Sequence, residues 1–131
     1  MRIYNLYYDI DLMDFIKCRI KPDYKIEKGI ILEDSHTIIG FILYHNEVKG
    51  EQHIAHIDYI FADNDSIEDV LLQKFYNKMK HQQYNLILRN IETNPEILNK
   101  YIDLKYKIFH FNPDYTICTL YKEIFSKKIN L

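Results

Sequence analysis

His56 and Asp58 are the two side chains best suited by type and spacing to proton transfer. They lie two residues apart in the run 53–62, which predicts a β-strand, so they share one face of it. A histidine can act as a general base near neutral pH, whereas Asp58 would need a raised pKa or a relaying water. His53 is three residues from His56 and points to the opposite face, so the pattern indicates no zinc site. The alternative is that His56 is a strand histidine hydrogen-bonded within the sheet.

A run of acidic residues follows that strand. Residues 63–69 read DNDSIED, with four acids and no glycine. Ser66 and Asp69 have the spacing of a capping box, and acids in the first turn of a helix complement its macrodipole. The segment therefore predicts a well-capped helix that starts near Ile67 and ends near Gln82.

The elements that must position these residues alternate between strands and helices. Runs rich in β-branched and aromatic residues predict strands, and apolar residues at helical spacing predict helices. The predicted strands cover 2–8, 26–33, 37–45, 53–62, 84–91, 108–111 and 115–121; the predicted helices cover 9–20, 67–82 and 94–104. Pro22 is expected to end the first helix, and a turn is expected over 48–51. The order β-α-β-β-β-α-β-α-β-β predicts one α/β domain over 1–131.

Composition narrows the possible functions. The 131 residues are 47% hydrophobic and 27% charged, as in an ordinary folded domain, and the net charge of −2 gives no basic field for nucleic acid. Twelve tyrosines without tryptophan are interpreted as core and interface residues rather than base-stacking platforms. No apolar run reaches the ~20 residues of a membrane span, and the acidic N-terminal region does not resemble a signal peptide. We expect a cytoplasmic protein without membrane contact, with Cys18 and Cys118 as free buried thiols.

The strand over 84–91 is followed by an asparagine, a short helix, a tyrosine and a Leu-Lys-Tyr sequence. This pattern resembles the GNAT acetyltransferases, which have Asn, a short helix, Tyr and then Leu-Gly-Phe. The matching residues are Asn94, Tyr101, Leu104 and Tyr106, and Lys105 stands in place of the glycine. The match is strongest over 53–121. It implies a mixed β-sheet flanked by helices.

The resemblance also implies a site for acyl-CoA. In GNAT enzymes the two central parallel strands splay apart and the pantetheine arm hydrogen-bonds the backbone of the first, which corresponds here to Tyr59, Ile60 and Phe61. Tyr101 corresponds to the tyrosine that protonates the departing CoA thiolate; alternatively it packs on the apolar face of its helix, with Ile97, Leu98 and Leu104 also inward. Asn94 corresponds to a residue near the pantetheine, although Asn-Pro is also a good N-cap.

The pyrophosphate site of the family is altered in this sequence. GNAT members use a Gln/Arg-x-x-Gly-x-Gly/Ala loop, and the corresponding positions here include Asn64, Ser66 and Ile67. A carboxylate about 8 Å from a phosphate costs about 2 kcal/mol at an effective dielectric of 20. On this interpretation the protein's own carboxylates take the place of the phosphates at the helix start. Acyl-CoA would then be held mainly through its pantetheine arm.

Two functions follow from the resemblance. The first is a divergent GNAT-type N-acyltransferase that moves an acetyl or other acyl group from acyl-CoA to an amine of unknown identity, with His56 or Asp58 as base and Tyr101 as acid. The second is a GNAT-like binding or regulatory module that has lost CoA binding. A homodimer is possible in either case, and no metal is expected.

Overall fold

A computed structural model describes residues 1–124. The elements are β1 Arg2–Asn5, α1 Ile10–Lys17, β2 Lys28–Asp34, β3 Thr37–Lys49, β4 Gln52–Ala62, α2 Asp65–His81, β5 Leu86–Glu92, α3 Pro95–Asp103, β6 Lys107–Phe111 and β7 Ile117–Glu123. This is the order predicted from the sequence. The last seven residues of the predicted domain, 125–131, lie outside the described part.

The strands form one sheet in the order β1-β2-β3-β4-β5-β7-β6. The β4–β5 pair is parallel, whereas β1–β2, β2–β3, β5–β7 and β6–β7 are antiparallel, so the predicted mixed sheet is confirmed. The parallel register joins Ile54–Ile57 to Leu86–Arg89. From there β4 continues for five residues to Ala62, and β5 continues for three residues to Glu92.

Two compact units can be distinguished by their internal contacts. The first comprises Met1–His45 and Tyr59–Phe75, and the second comprises Asn46–Asp58 together with residues 76–124. The core of the first unit forms where α1 covers β2 and β3, through the buried residues Leu12, Ile16, Ile31, Phe41 and Leu43. Each of these side chains stabilises the fold by about 1.5–3 kcal/mol through its burial.

The second unit has its own buried residues on several elements. They are Ile87 and Ile91 on β5, Cys118 and Leu120 on β7, Met79 on α2, and Tyr101 on α3. On β5 and β7 the buried residues alternate with more accessible ones, which is the period of a strand with one face on a core.

Several predicted boundaries are wrong. α1 ends at Lys17 rather than at residue 20, because the Arg19 N–H turns back to the Ile16 carbonyl (2.9 Å) before Pro22 is reached. The predicted turn at 48–51 is shorter, because β3 continues to Lys49 and the chain turns at Gly50, which has φ +63°. β1 ends at Asn5 rather than at residue 8.

Both cysteines are free. Cys118 is buried as predicted, but the prediction of a buried thiol is wrong for Cys18, which is exposed at the end of α1. Within residues 1–124, no helix combines the length and apolar character that crossing a bilayer requires.

Candidate functional site

The start of α2 is capped by Asn64. The Asn64 Oδ1 atom accepts a hydrogen bond from the Ile67 N–H at 2.9 Å, and the Asn64 carbonyl accepts from the Glu68 N–H at 3.0 Å. The helix begins at Asp65, two residues earlier than predicted, so Ser66 lies inside the first turn. The predicted capping box of Ser66 and Asp69 is therefore wrong, because Asn64 already supplies the oxygen that an N-cap requires.

This cap changes what the helix start can bind. An anion-binding helix N-terminus needs N–H groups directed at the ligand, and the Ile67 N–H is directed at Asn64 instead. Asp65 and Glu68 add two acids to the first turn. The acceptor at Ile67 is an amide oxygen and not the carboxylate that the sequence interpretation placed there. The helix dipole at this end of α2 is thus complemented by the protein's own groups.

Tyr59, Ile60 and Phe61 lie on the last part of β4, in the first unit. The Tyr59 hydroxyl accepts from the Lys21 N–H at 3.3 Å, and its ring packs edge-on against Tyr24 at 4.9 Å. Phe61 packs against Phe15 and Phe41, with ring centroids 5.6 and 5.5 Å apart. The side chains of Tyr59 and Phe61 therefore contribute to the unit's own packing.

Gly40 on β3 fits closely against this part of β4. A Cβ atom at position 40 would lie 2.9 Å from the Phe61 carbonyl oxygen, closer than real Cβ contacts allow. The glycine is therefore required for the close approach of the two backbones.

His56 is paired with a residue that the sequence did not single out. Its Nε2 atom lies 2.6 Å from Oε1 of Glu47 on β3, and the His56 side chain is 24% exposed. Glu47 was missed because the predicted strand stopped at residue 45. Residues 46–49 contain neither glycine nor proline, which was the available signal that β3 continues up to Gly50. A base whose ring is oriented by a carboxylate has the arrangement used in many general-base sites. Asp58, also proposed as a base, is half-buried on the same strand.

Tyr101 is almost fully buried on α3, at 1% exposure. Its hydroxyl accepts from the Arg89 Nε–H at 3.2 Å, and its ring packs edge-on against Tyr106 at 5.1 Å. The predicted inward face of α3 is wrong at Ile97, which is 40% exposed. Arg89, at the end of the parallel register, is a second residue that the sequence did not single out.

The Tyr106 hydroxyl is the buried polar atom without a hydrogen-bond partner among the described residues. Burial is the main cause that raises its pKa; the proximity of Tyr101 raises it further, and Arg89 lowers it. Lys122 lies over the Tyr106 ring at 5.5 Å and over the Tyr76 ring at 4.3 Å, and burial lowers the pKa of this lysine. These residues form a polar aromatic cluster in the second unit.

Asn94 caps α3. Its Oδ1 atom accepts from the N–H groups of Glu96 (2.9 Å) and Ile97 (3.3 Å), and Pro95 occupies the first helical position. The interpretation of Asn94 as an N-cap is confirmed, and its oxygen is engaged within the helix. Its contact with pantetheine stays a prediction.

In the part of the chain that the structure describes, no three His, Cys, Asp or Glu side chains are grouped so that they could hold a metal ion. His53 instead stacks on Tyr84 with ring centroids 3.8 Å apart.

Comparison with solved structures identifies the fold. The chain is similar to the aminoglycoside 6'-N-acetyltransferase from Enterococcus faecium (TM-score 0.68, 12% identity, 98% of this chain and 100% of that chain). It is also similar to yncA from Salmonella typhimurium, solved with its cofactor acetyl-CoA (TM-score 0.65, 8% identity, 78% and 67% of the two chains). A third neighbour is the acetyltransferase of GNAT family from Streptococcus pneumoniae (TM-score 0.61, 11% identity, 89% and 77%).

The chain therefore has the GNAT fold, as the sequence resemblance implied. No protein-family model matches the sequence, and no curated protein matches it. At 8 to 12% identity these likenesses establish the fold alone.

Proposed function

We propose that this protein is a GNAT-type N-acyltransferase that moves an acyl group from acyl-CoA to an amine. The observation that carries the proposal is the His56–Glu47 pair, with 2.6 Å between Nε2 and Oε1, beside the end of the parallel β4–β5 register. On a GNAT fold, a histidine on the central strand whose ring contacts a carboxylate supports the assignment of His56 as the general base. The fold alone would not distinguish an enzyme from a binding module.

His56 takes the proton that the acceptor ammonium must lose, and Glu47 stabilises the resulting imidazolium. The amine nitrogen then attacks the thioester carbonyl carbon; the C–N bond forms and the C–S bond breaks. The nitrogen loses its second proton to solvent as the amide forms, and the departing thiolate takes up one proton. Tyr101 is the proposed donor of that proton. Tyr101 is buried, and its hydroxyl accepts a hydrogen bond from Arg89. We therefore propose that Tyr101 and Arg89 act together in this proton transfer.

The residues of this chain are better suited to bind the pantetheine arm of acyl-CoA than its pyrophosphate. Backbone groups of Tyr59, Ile60 and Phe61 are the proposed partners of the pantetheine arm, and such contacts do not depend on side-chain identity. The pyrophosphate has no comparable partner, since Asn64 already accepts from the Ile67 N–H and two acids lie in the first turn. We therefore propose that most of the affinity comes from the acyl-pantetheine portion and little from the nucleotide.

A specific observation also favours the second candidate, a GNAT-like module without CoA. The capped helix start and the buried Tyr101 are both arrangements that a protein without a cofactor could retain. In that case the His56–Glu47 pair would be a structural contact within the sheet. A homodimer is compatible with either function, and sedimentation analysis would measure the oligomeric state.

Titration with acetyl-CoA, S-acetyl-pantetheine and adenosine 3',5'-bisphosphate separates the two candidates. A ligand at 100 times its Kd stabilises the folded state by about 2.7 kcal/mol, which a melting curve resolves easily. The enzyme proposal expects acetyl-CoA and acetyl-pantetheine to bind within about tenfold of one another, with no effect of the bisphosphate. Absence of stabilisation by either acetyl compound at millimolar concentration would establish the second candidate instead.

Turnover is tested with variants of the proposed base. His56→Ala and Glu47→Gln should lower the rate of transfer while leaving acetyl-CoA binding intact. Glu51→Gln, in the exposed turn after β3, is the matched control and should have the wild-type rate. Equal rates in all four proteins would remove His56 and Glu47 from the mechanism.

A further inference from the structure

A groove in the second unit lies on the sheet face that carries Glu47. It has a volume of about 600 Å³ and is lined by residues of β3, β4, β5, β6 and β7 and by Asn85. This volume falls within the ~300–1,000 Å³ usual for small-molecule sites. Because Glu47 both lines the groove and bonds His56, the groove adjoins the proposed general base.

The floor of the groove is apolar. It is formed by Ile54, Leu86, Leu88, Ile108, Phe109 and Tyr121. Phe109 is 62% exposed and packs edge-on against Tyr121 at 6.2 Å, and Ile108 is 41% exposed. Together with the other apolar lining residues, these exposed side chains form a contiguous apolar surface, the kind of surface that marks interaction sites.

The charged residues that line the groove are Glu47, Lys49 and Glu123. The Glu123 carboxylate lies 3.8 Å from the Lys107 ammonium, so this carboxylate has a cationic neighbour. Of the two carboxylates that line the groove, Glu47 is the one that contacts His56. An ammonium group held at Glu47 would be next to the base that must deprotonate it.

We propose that the acceptor is an amine carried on a single apolar or aromatic tail, with the ammonium at Glu47 and the tail on the apolar floor. This inference rests on the proposed acyl transfer. A polyhydroxylated amine would place polar groups against the apolar floor without hydrogen-bond partners, which is unfavourable. A carboxylate next to the amine would be repelled by Glu47. The groove thus selects aliphatic and arylalkyl amines over sugar-like or acidic ones.

A homologous series of n-butylamine, n-hexylamine and n-octylamine tests the inference without any acyl donor. Each methylene that enters the groove should tighten binding by about fourfold, as measured by NMR titration at pH 7. 1-Hexanol serves as the uncharged probe with the same tail. Glu47→Gln should weaken hexylamine binding and leave hexanol binding unchanged.

Phe109→Ala should weaken the binding of both hexylamine and hexanol. Because Phe109 is exposed, this variant should keep its fold, which circular dichroism checks. Val48→Ala is the matched control, since Val48 is an equally exposed apolar residue (69%) that does not line the groove. Affinity independent of tail length, or equal effects of the two alanine variants, would overturn the inference. Dimerisation that Phe109→Ala abolishes, without amine binding, would also overturn it and make the groove an interface between copies.

The same amines are then assayed with acetyl-CoA. Binding with the expected tail dependence but without transfer supports the groove and refutes the proposed reaction. Transfer to amines regardless of tail length supports the reaction and refutes the groove as the acceptor site. These assays therefore distinguish failure of the groove as the acceptor site from failure of the proposed acyl transfer.

Discussion

Replacing Lys105 with glycine tests the backbone conformation that ends α3. Lys105 has φ +75°, in the left-handed region where GNAT proteins have the glycine of Leu-Gly-Phe. The Lys105 N–H bonds the Ile102 carbonyl at 2.9 Å and the Tyr106 N–H bonds the Tyr101 carbonyl at 3.0 Å. These are the two hydrogen bonds of a Schellman motif, which requires a left-handed residue at this position.

The expected change in the free energy of unfolding follows from the backbone conformation at residue 105. A residue with a Cβ in the left-handed region costs about 1–2 kcal/mol, which glycine avoids. Glycine in turn loses about 0.5–1 kcal/mol more conformational entropy on folding. We expect Lys105→Gly to stabilise the protein by about 0.5–1 kcal/mol. With an unfolding entropy of about 2.1 cal/mol/K per residue, this raises the Tm of 131 residues by about 2–4 °C.

The assay is urea unfolding followed by circular dichroism, with Lys105→Ala as the control. Alanine removes the long side chain but keeps the Cβ, so it should give none of the gain. Gly50→Ala is the reverse experiment: Gly50 has φ +63° and open space around a new Cβ, so strain alone should destabilise the protein by about 1 kcal/mol. If Lys105→Gly and Lys105→Ala change the free energy of unfolding by the same amount, the left-handed conformation of residue 105 does not destabilise the protein.

Three other predictions concern single side chains. Tyr106→Phe removes a buried hydroxyl without a described partner and should leave stability unchanged or raise it by about 1 kcal/mol; a loss above 1 kcal/mol in urea unfolding would reveal a hidden partner. Asn64→Ala removes the α2 cap and should cost about 1 kcal/mol, whereas Ser66→Ala should cost less than half of that in the same assay. Burial and the hydrogen bond to Glu33 raise the pKa of Tyr4 to about 12. The folded state thus holds this proton more tightly, so its contribution is complete below pH 10 and is lost as the pH rises through 12; the stability difference between wild type and Tyr4→Phe should shrink over that range, and a constant difference contradicts the assignment.

Element order was accessible from the sequence because local patterns encode it. Apolar runs of strand and helix period placed all ten elements in the right order, and Asn94 was correctly identified as an N-cap because a short polar side chain before a helix acts locally. Boundaries were less accessible. The Ser66–Asp69 spacing matched a capping box, yet Asn64 lies two residues earlier with an equivalent oxygen, and sequence spacing alone does not decide between two competing caps.

The candidate site shows the same division. The sequence by itself determined that His56 and Asp58 share a strand, that the segment after that strand is acidic and free of glycine, and that Tyr101 lies on a short helix. Only the tertiary structure decided that Glu47 contacts His56, that Arg89 bonds Tyr101, and that an apolar groove adjoins Glu47. The physical reason is that strand pairing and packing bring together residues distant along the chain. The period of a single element determines which face a side chain occupies, and the neighbouring elements determine what that face meets.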